Sequence, residues 1–191
     1  MERLGVIGGT GLIDMTLGEQ LEAHGLTLVQ RDAVTVETPY GEVPLTCIQL
    51  AHGDVKKELI FLQRHHNDGA PSRPPHMIEH RANMRALFDA GCEAVMAVCS
   101  VGAIPEDFPP GKVALANQYI DFTGQESTFH DDAAVFTSVT DPFDAILNTA
   151  LESVLRESQG FAANERMHYT YWLAQGPHFE TKAEIDAIDT L

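Results

Sequence analysis

Three short apolar runs each break off into a polar or glycine-rich loop, and that repeated ending most constrains the fold. Leu4–Ile7 runs into Gly8-Gly9-Thr10-Gly11, Glu58–Gln63 (ELIFLQ) into Arg64-His65-His66, and Ala94–Cys99 (AVMAVC) into Ser100-Val101-Gly102. Apolar runs this short, bounded by turn residues, read as strands buried in a parallel sheet. Between and after them lie helical patterns: His76–Ala90, with Met77, Met84, Leu87 and Phe88 spaced along one side and Gly91 as its cap; a helix opened by Asp141 and Pro142 and running to about Glu157; and Thr181–Leu191. Val34–Glu37 and Val43–Leu50 alternate around Thr38-Pro39-Tyr40-Gly41 as a hairpin would. Lys112–Asn117 and Met167–Ala174 read as further strands, and Asn67–Pro75 as a loop. Strands alternating with helices predict an α/β fold in one domain over residues 1–191, with an at least partly parallel sheet. In such sheets ligands sit beyond the carboxyl ends of the strands, where these three loops begin.

Composition narrows the ligand. The 191 residues are 44% hydrophobic and 21% charged, enough for a packed core. No apolar run approaches the roughly 20 residues of a membrane span, and the start, MERLGVIGGTG, has no signal-peptide pattern, so no membrane partner is expected. Cys47, Cys92 and Cys99 are odd in number and form no C-x-x-C pair, as expected of reduced thiols in a cytoplasmic protein. The net charge of −16 argues against nucleic acid as a partner. A chain this acidic must hold an anion locally, with a few cations and backbone N–H groups.

Each candidate site has a plainer reading beside it. The Gly8–Gly11 loop lacks the third glycine and distant acid of a dinucleotide fingerprint, and no lysine follows it as in a nucleotide P-loop, so it is an anion loop of another kind or simply a tight turn. Arg64-His65-His66 offers one permanent cation and one or two switchable donors. It is an anion clamp if it meets that loop, and otherwise solvated surface. His76-Met77-Ile78-Glu79-His80 spells H-x-x-E-H, a pattern in which two histidines one helical turn apart hold zinc, with Glu152 or Glu157 as a distant third ligand. In a chain with nine histidines it can also arise by chance. Phe179-Glu180 pairs an aromatic face with a carboxylate, suited to stack on a purine and accept from its N1–H. The alternative is a carboxylate that favours a helix N-terminus.

Taken together, GVIGGTG, FLQRHH, PPHMIEHRANMRAL, VCSVGAIPEDFPPGKVALANQYIDFT, the DPF segment and GPHFETKAEI resemble the purine nucleoside phosphorylase / methylthioadenosine phosphorylase family, in family order from residue 5 to residue 185. The resemblance is strongest to its methylthioinosine or 6-oxopurine branch. It implies a central mixed, partly barrel-like sheet flanked by helices, and phosphorolysis of a purine nucleoside, with inorganic phosphate as co-substrate, no cofactor and no metal. By that resemblance Thr10, Arg64, His65, Cys99 and Ser100 hold phosphate, Phe179 and Glu180 hold a 6-oxopurine base, H-x-x-E-H dissolves into a P-P-H-x-I-x-x-R-A-N motif, and the assembly is a homotrimer or hexamer. Cys99 stands where the family usually carries Thr or Asn, and His66 where Gly is common.

The resemblance also implies a segment beyond Leu191 carrying a G-M-T or G-M-S stretch and the Asn or Asp that bonds purine N7, so no catalytic residue is assigned within these 191 residues. On that reading the chain is truncated. Residues 1–191 alone are then expected to be poorly soluble or partly unfolded, with phosphorolysis at least ~10³-fold reduced by loss of a transition-state donor. The competing functions are an impaired fragment that acts as a binding or oligomerising module, and a zinc hydrolase.

Overall fold

The computed structural model describes residues 2–9, 12, 21–66 and 72–191. They form two compact units, Met1–Val101 and Gly102–Leu191.

In the first unit, strands β1 (Arg3–Gly8), β2 (Thr27–Thr38), β3 (Gly41–His52), β4 (Val55–Gln63) and β5 (Ala94–Ala97) form one mixed sheet in the order β2-β3-β4-β1-β5. β1 lies parallel to both β4 and β5, while β2-β3 and β3-β4 are antiparallel. Alternation along β3 and β4 sends Val43, Leu45, Ile60 and Leu62 to the face covered by helix α1 (His80–Asp89), where Ala82, Ala86 and Leu87 complete the core. Burying a large aliphatic side chain of this kind contributes about 1.5–3 kcal/mol. α1 ends in a Schellman turn: Gly91, at φ 73°, donates to Phe88 O at 2.9 Å, and Cys92 N to Leu87 O at 3.1 Å. A left-handed residue is required there, which is why glycine follows the helix.

The α/β class and the mixed sheet agree with the sequence reading, and several boundaries move. The hairpin arms are longer than Val34–Glu37 and Val43–Leu50, because most of β2 is exposed on both faces and has no apolar rhythm to betray it. A second turn at Gly53 (φ 57°) joins β3 directly to β4. The helix expected from His76 starts only at His80. Pro74 is held extended before Pro75, Pro75–Met77 makes one 3-10 turn, and Ile78 returns to extended backbone (φ −70°, ψ 127°). β5 stops at Ala97, so Cys99 lies outside it.

The second unit pairs β6 (Leu115–Asp121) in parallel with β7 (His168–Leu173), alongside helices α2 (Ala145–Gln159) and α3 (Lys182–Thr190). β6 starts later than Lys112 because the side-chain amide of Gln159 takes both backbone groups of Val113, at 2.8 and 3.0 Å. α2 is capped by Asp144, which accepts from Leu147 N at 2.8 Å, and not by Asp141. Both aspartates of DPFD offer a cap, but only Asp144 has a helical N–H three residues on. α3 carries a full capping box: Glu184 N donates to Thr181 Oγ1 at 3.2 Å, and Thr181 N donates to Glu184 Oε2 at 2.7 Å. No helix of the described residues is long and apolar enough to cross a membrane.

Candidate functional site

The parallel register sets the carboxyl ends of three strands level. Gly8 pairs with Gln63 and Ile7 with Ala97. One residue further on, Arg64 N donates to Gly8 O at 3.0 Å and Val98 N to Ile7 O at 2.9 Å. Gly9, Arg64–His66 and Cys99-Ser100 therefore follow the strand ends along one edge of the sheet, as the three apolar runs implied. A side chain at the last residue of β1 would force the Phe61 ring to move. A Cβ on Gly8 would sit 2.7 Å from the Phe61 ring, and one on Gly9 would sit 3.1 Å from a terminal nitrogen of Arg64. The guanidinium thus lies over the bare backbone of Gly9. Thr10 lies outside the described residues.

Arg64 has no carboxylate partner among the described residues, in a chain with 28 acidic side chains. Its one side-chain hydrogen bond among the described residues runs from Nε to Nε2 of His65, at 3.2 Å. A guanidinium can only donate, so His65 Nε2 is the accepting nitrogen and Nδ1 carries the proton. That Nδ1–H donates to Arg73 O at 2.9 Å, while Arg73 N donates to His65 O at 2.8 Å. His65 N is in turn held by Gln63 Oε1. The result is a fixed imidazole beside an uncompensated planar cation. Cys99 and Ser100 are exposed where β5 runs out.

Two further residues belong to this corner. Asn83 on α1, 4% exposed, accepts from His66 Nε2 at 2.9 Å. His80, at the first turn of α1, has its pKa lowered by desolvation and then by the charge of Arg64, against a smaller opposing effect of Glu79. Sequence reading placed His80 only within H-x-x-E-H. The geometry of that pattern does not form, because His76 lies in the 3-10 turn and His80 in the helix, with Ile78 extended between them. No group of three or more His, Cys, Asp and Glu among the described residues is placed to hold a metal ion.

The base-binding candidates lie in the second unit. A cavity of about 220 Å³ is lined by Phe122, Trp172, His178, Glu180 and Glu184 among others, with Phe122 and Trp172 edge to face at 5.3 Å. Glu180 opens onto it and makes no hydrogen bond or ion pair with the described residues. Capping α3 falls to Thr181 and Glu184, and Glu180 stands one residue ahead of that cap. Phe179 is 93% exposed and is not part of the cavity wall, so the two adjacent residues are not brought together over one cavity. Trp172 and Phe122 went unnoticed in the sequence, where each reads as an ordinary strand or loop aromatic.

A sequence model of the phosphorylase superfamily matches residues 3–191. The chain belongs to the phosphorylase superfamily. It is 36% identical to a probable 6-oxopurine nucleoside phosphorylase of Thermococcus kodakarensis, covering 100% of this chain and 68% of that protein. It is 32% identical to a probable S-methyl-5'-thioinosine phosphorylase of Methanothermobacter thermautotrophicus, covering 98% and 60%. Among solved structures it is similar to a methylthioadenosine phosphorylase from an antarctic soil metagenomic library: TM-score 0.77, 28% identity, 98% of this chain and 61% of that one. This phosphorylase-superfamily chain thus spans 60–68% of the length of these relatives.

Proposed function

We propose that this phosphorylase-superfamily chain takes part in phosphorolysis of a purine nucleoside, with inorganic phosphate as the attacking reactant. The observation that carries the reading is the Gly9–Arg64–His65 corner: a cation with no carboxylate partner among the described residues, lying over bare glycine backbone and braced by a histidine of fixed tautomer. A planar guanidinium suits bidentate contact with phosphate. Thr10, Cys99 and Ser100 complete the proposed phosphate group. In the reaction a phosphate oxygen bonds to C1′ as the C1′–N9 bond breaks, its electron pair leaving with the purine, to give the free base and a sugar 1-phosphate. Phosphate stabilises the oxocarbenium-like centre by position and charge, so no covalent nucleophile on the protein is required.

For the base we favour a 6-oxopurine, such as hypoxanthine released from inosine or methylthioinosine. The Glu180 carboxylate, without a partner among the described residues, can accept from N1–H of a 6-oxopurine and would face a lone pair at N1 of adenine. Phe179 is the proposed stacking ring, and a homotrimer in the cytoplasm the proposed setting. The test is release of base and sugar 1-phosphate from inosine, methylthioinosine and methylthioadenosine, with and without phosphate. Strictly phosphate-dependent release, faster from the 6-oxo nucleosides, is expected. Release without phosphate would contradict the reaction, and equal turnover of the two methylthio nucleosides would contradict the role of Glu180.

A further inference from the structure

Asn83 is the one buried polar side chain among the described residues, set in the core-facing side of α1 with Ala82, Ala86 and Leu87. An amide buried in such company costs stability unless it is bonded, and an apolar residue there would serve the core better. What it holds is His66. The Asn83 Oδ1 carbonyl can only accept, so His66 Nε2 carries the proton and donates across 2.9 Å.

His66 closes the turn that carries Arg64 and His65. Its backbone N donates to Gln63 O at 3.0 Å, and Gln63 Oε1 accepts from His65 N. The start of the turn is fixed to β1 through the bond from Arg64 N to Gly8 O, and its middle through the two bonds between His65 and Arg73. The bond to Asn83 fixes its end to α1, the helix that packs against the same sheet.

We propose that Asn83 is a positioning residue for phosphate, acting through His66 to set the Arg64–His65 turn; this rests on the reading of that turn as the phosphate clamp. A guanidinium must meet its anion in one orientation, and a turn released at its His66 end would lose that orientation before it lost its fold.

The test is calorimetric titration with inorganic phosphate of the chain and its Asn83→Leu, His66→Leu, His66→Gln and Asn83→Leu/His66→Leu variants, with melting temperatures measured alongside. Asn83→Leu and His66→Leu should each weaken phosphate binding roughly tenfold, the scale of one lost buried hydrogen bond. The double variant should bind no worse than the weaker single, because both changes remove one interaction. His66→Gln, which keeps an N–H at the reach of Nε2, should recover most of the loss. A merely structural role would lower the melting temperature without this pattern.

Unchanged phosphate affinity in Asn83→Leu, or losses that multiply in the double variant, would overturn the proposal. If Asn83→Leu does not fold, the contrast between His66→Leu and His66→Gln decides alone, and equal affinity in those two overturns it. Failure of the unaltered chain to bind phosphate would overturn both this inference and the clamp on which it rests.

Discussion

The two units are held together by different means. In the first, a mixed sheet and α1 enclose a continuous core from Val43 to Leu87, and the Gly9–Arg64–His65 corner grows directly from the ends of its ladders. In the second, Met167 is the one buried hydrophobic side chain, and the elements are joined largely by polar ties. Asn148 donates to Ala116 O at 3.0 Å, and His168 meets Glu152 at 2.8 Å. Arg156 bridges Glu152 to the carbonyls of Ala162 and Glu165. Phe136, Ile146 and Val154 are left exposed. The difference teaches that the proposed phosphate half is organised by the main chain and the core, whereas the proposed base half rests on caps and side-chain contacts.

The largest effect that would sharpen this contrast concerns discrimination. If Glu180 selects the base by one buried hydrogen bond, Glu180→Ala should abolish a 6-oxo over 6-amino preference of up to ~10⁴ in kcat/KM while leaving the phosphate KM nearly unchanged. Retained preference would move selectivity elsewhere in the cavity wall.

Next comes the core. Leu62 is fully enclosed on β4, one residue before the end of the strand. Leu62→Ala should destabilise the protein by about 2–5 kcal/mol in chemical denaturation and weaken phosphate binding with it. By contrast Val154→Ala, at a position 61% exposed in the second unit, should change stability by no more than about 0.5 kcal/mol. Equal costs would erase the distinction between the units.

A smaller effect should be visible in pH. The His80 pKa is lowered from the ordinary 6.5 by desolvation and by Arg64, so below pH 6.5 the unfolded chain takes up a proton more readily than the folded one. Stability present above that pH should therefore be lost as pH falls through 6.5 toward the folded value. His80→Gln should flatten this part of the profile. Bound phosphate, bringing negative charge beside Arg64, should raise the imidazole pKa, as histidine NMR titration would show.

How much of this was legible in the sequence follows from which signals are local. The three strand ends could be read because a buried parallel strand is a run of apolar residues with an abrupt polar stop, and Arg64 and His65 stand at such a stop. The first half of β2 could not, since a strand exposed on both faces has no apolar rhythm. His80 and Asn83 were hidden for another reason. Their role depends on α1 folding back over the sheet and starting four residues later than periodicity implied. In the second unit Glu180 was legible as a carboxylate before a helix. That the cap itself is made by Thr181 and Glu184 was not.

The central claim is that the corner built by Gly9, Arg64 and His65 binds inorganic phosphate. It is tested most directly by the phosphate dissociation constant of the chain against that of Arg64→Ala, by calorimetric titration at low ionic strength. Loss of a charge-assisted bidentate contact predicts at least ~10²-fold weaker binding in the variant, with the fold retained because Arg64 carries no core contact comparable to that of Leu62. Equal affinity for phosphate in both proteins, or none in either, would contradict it.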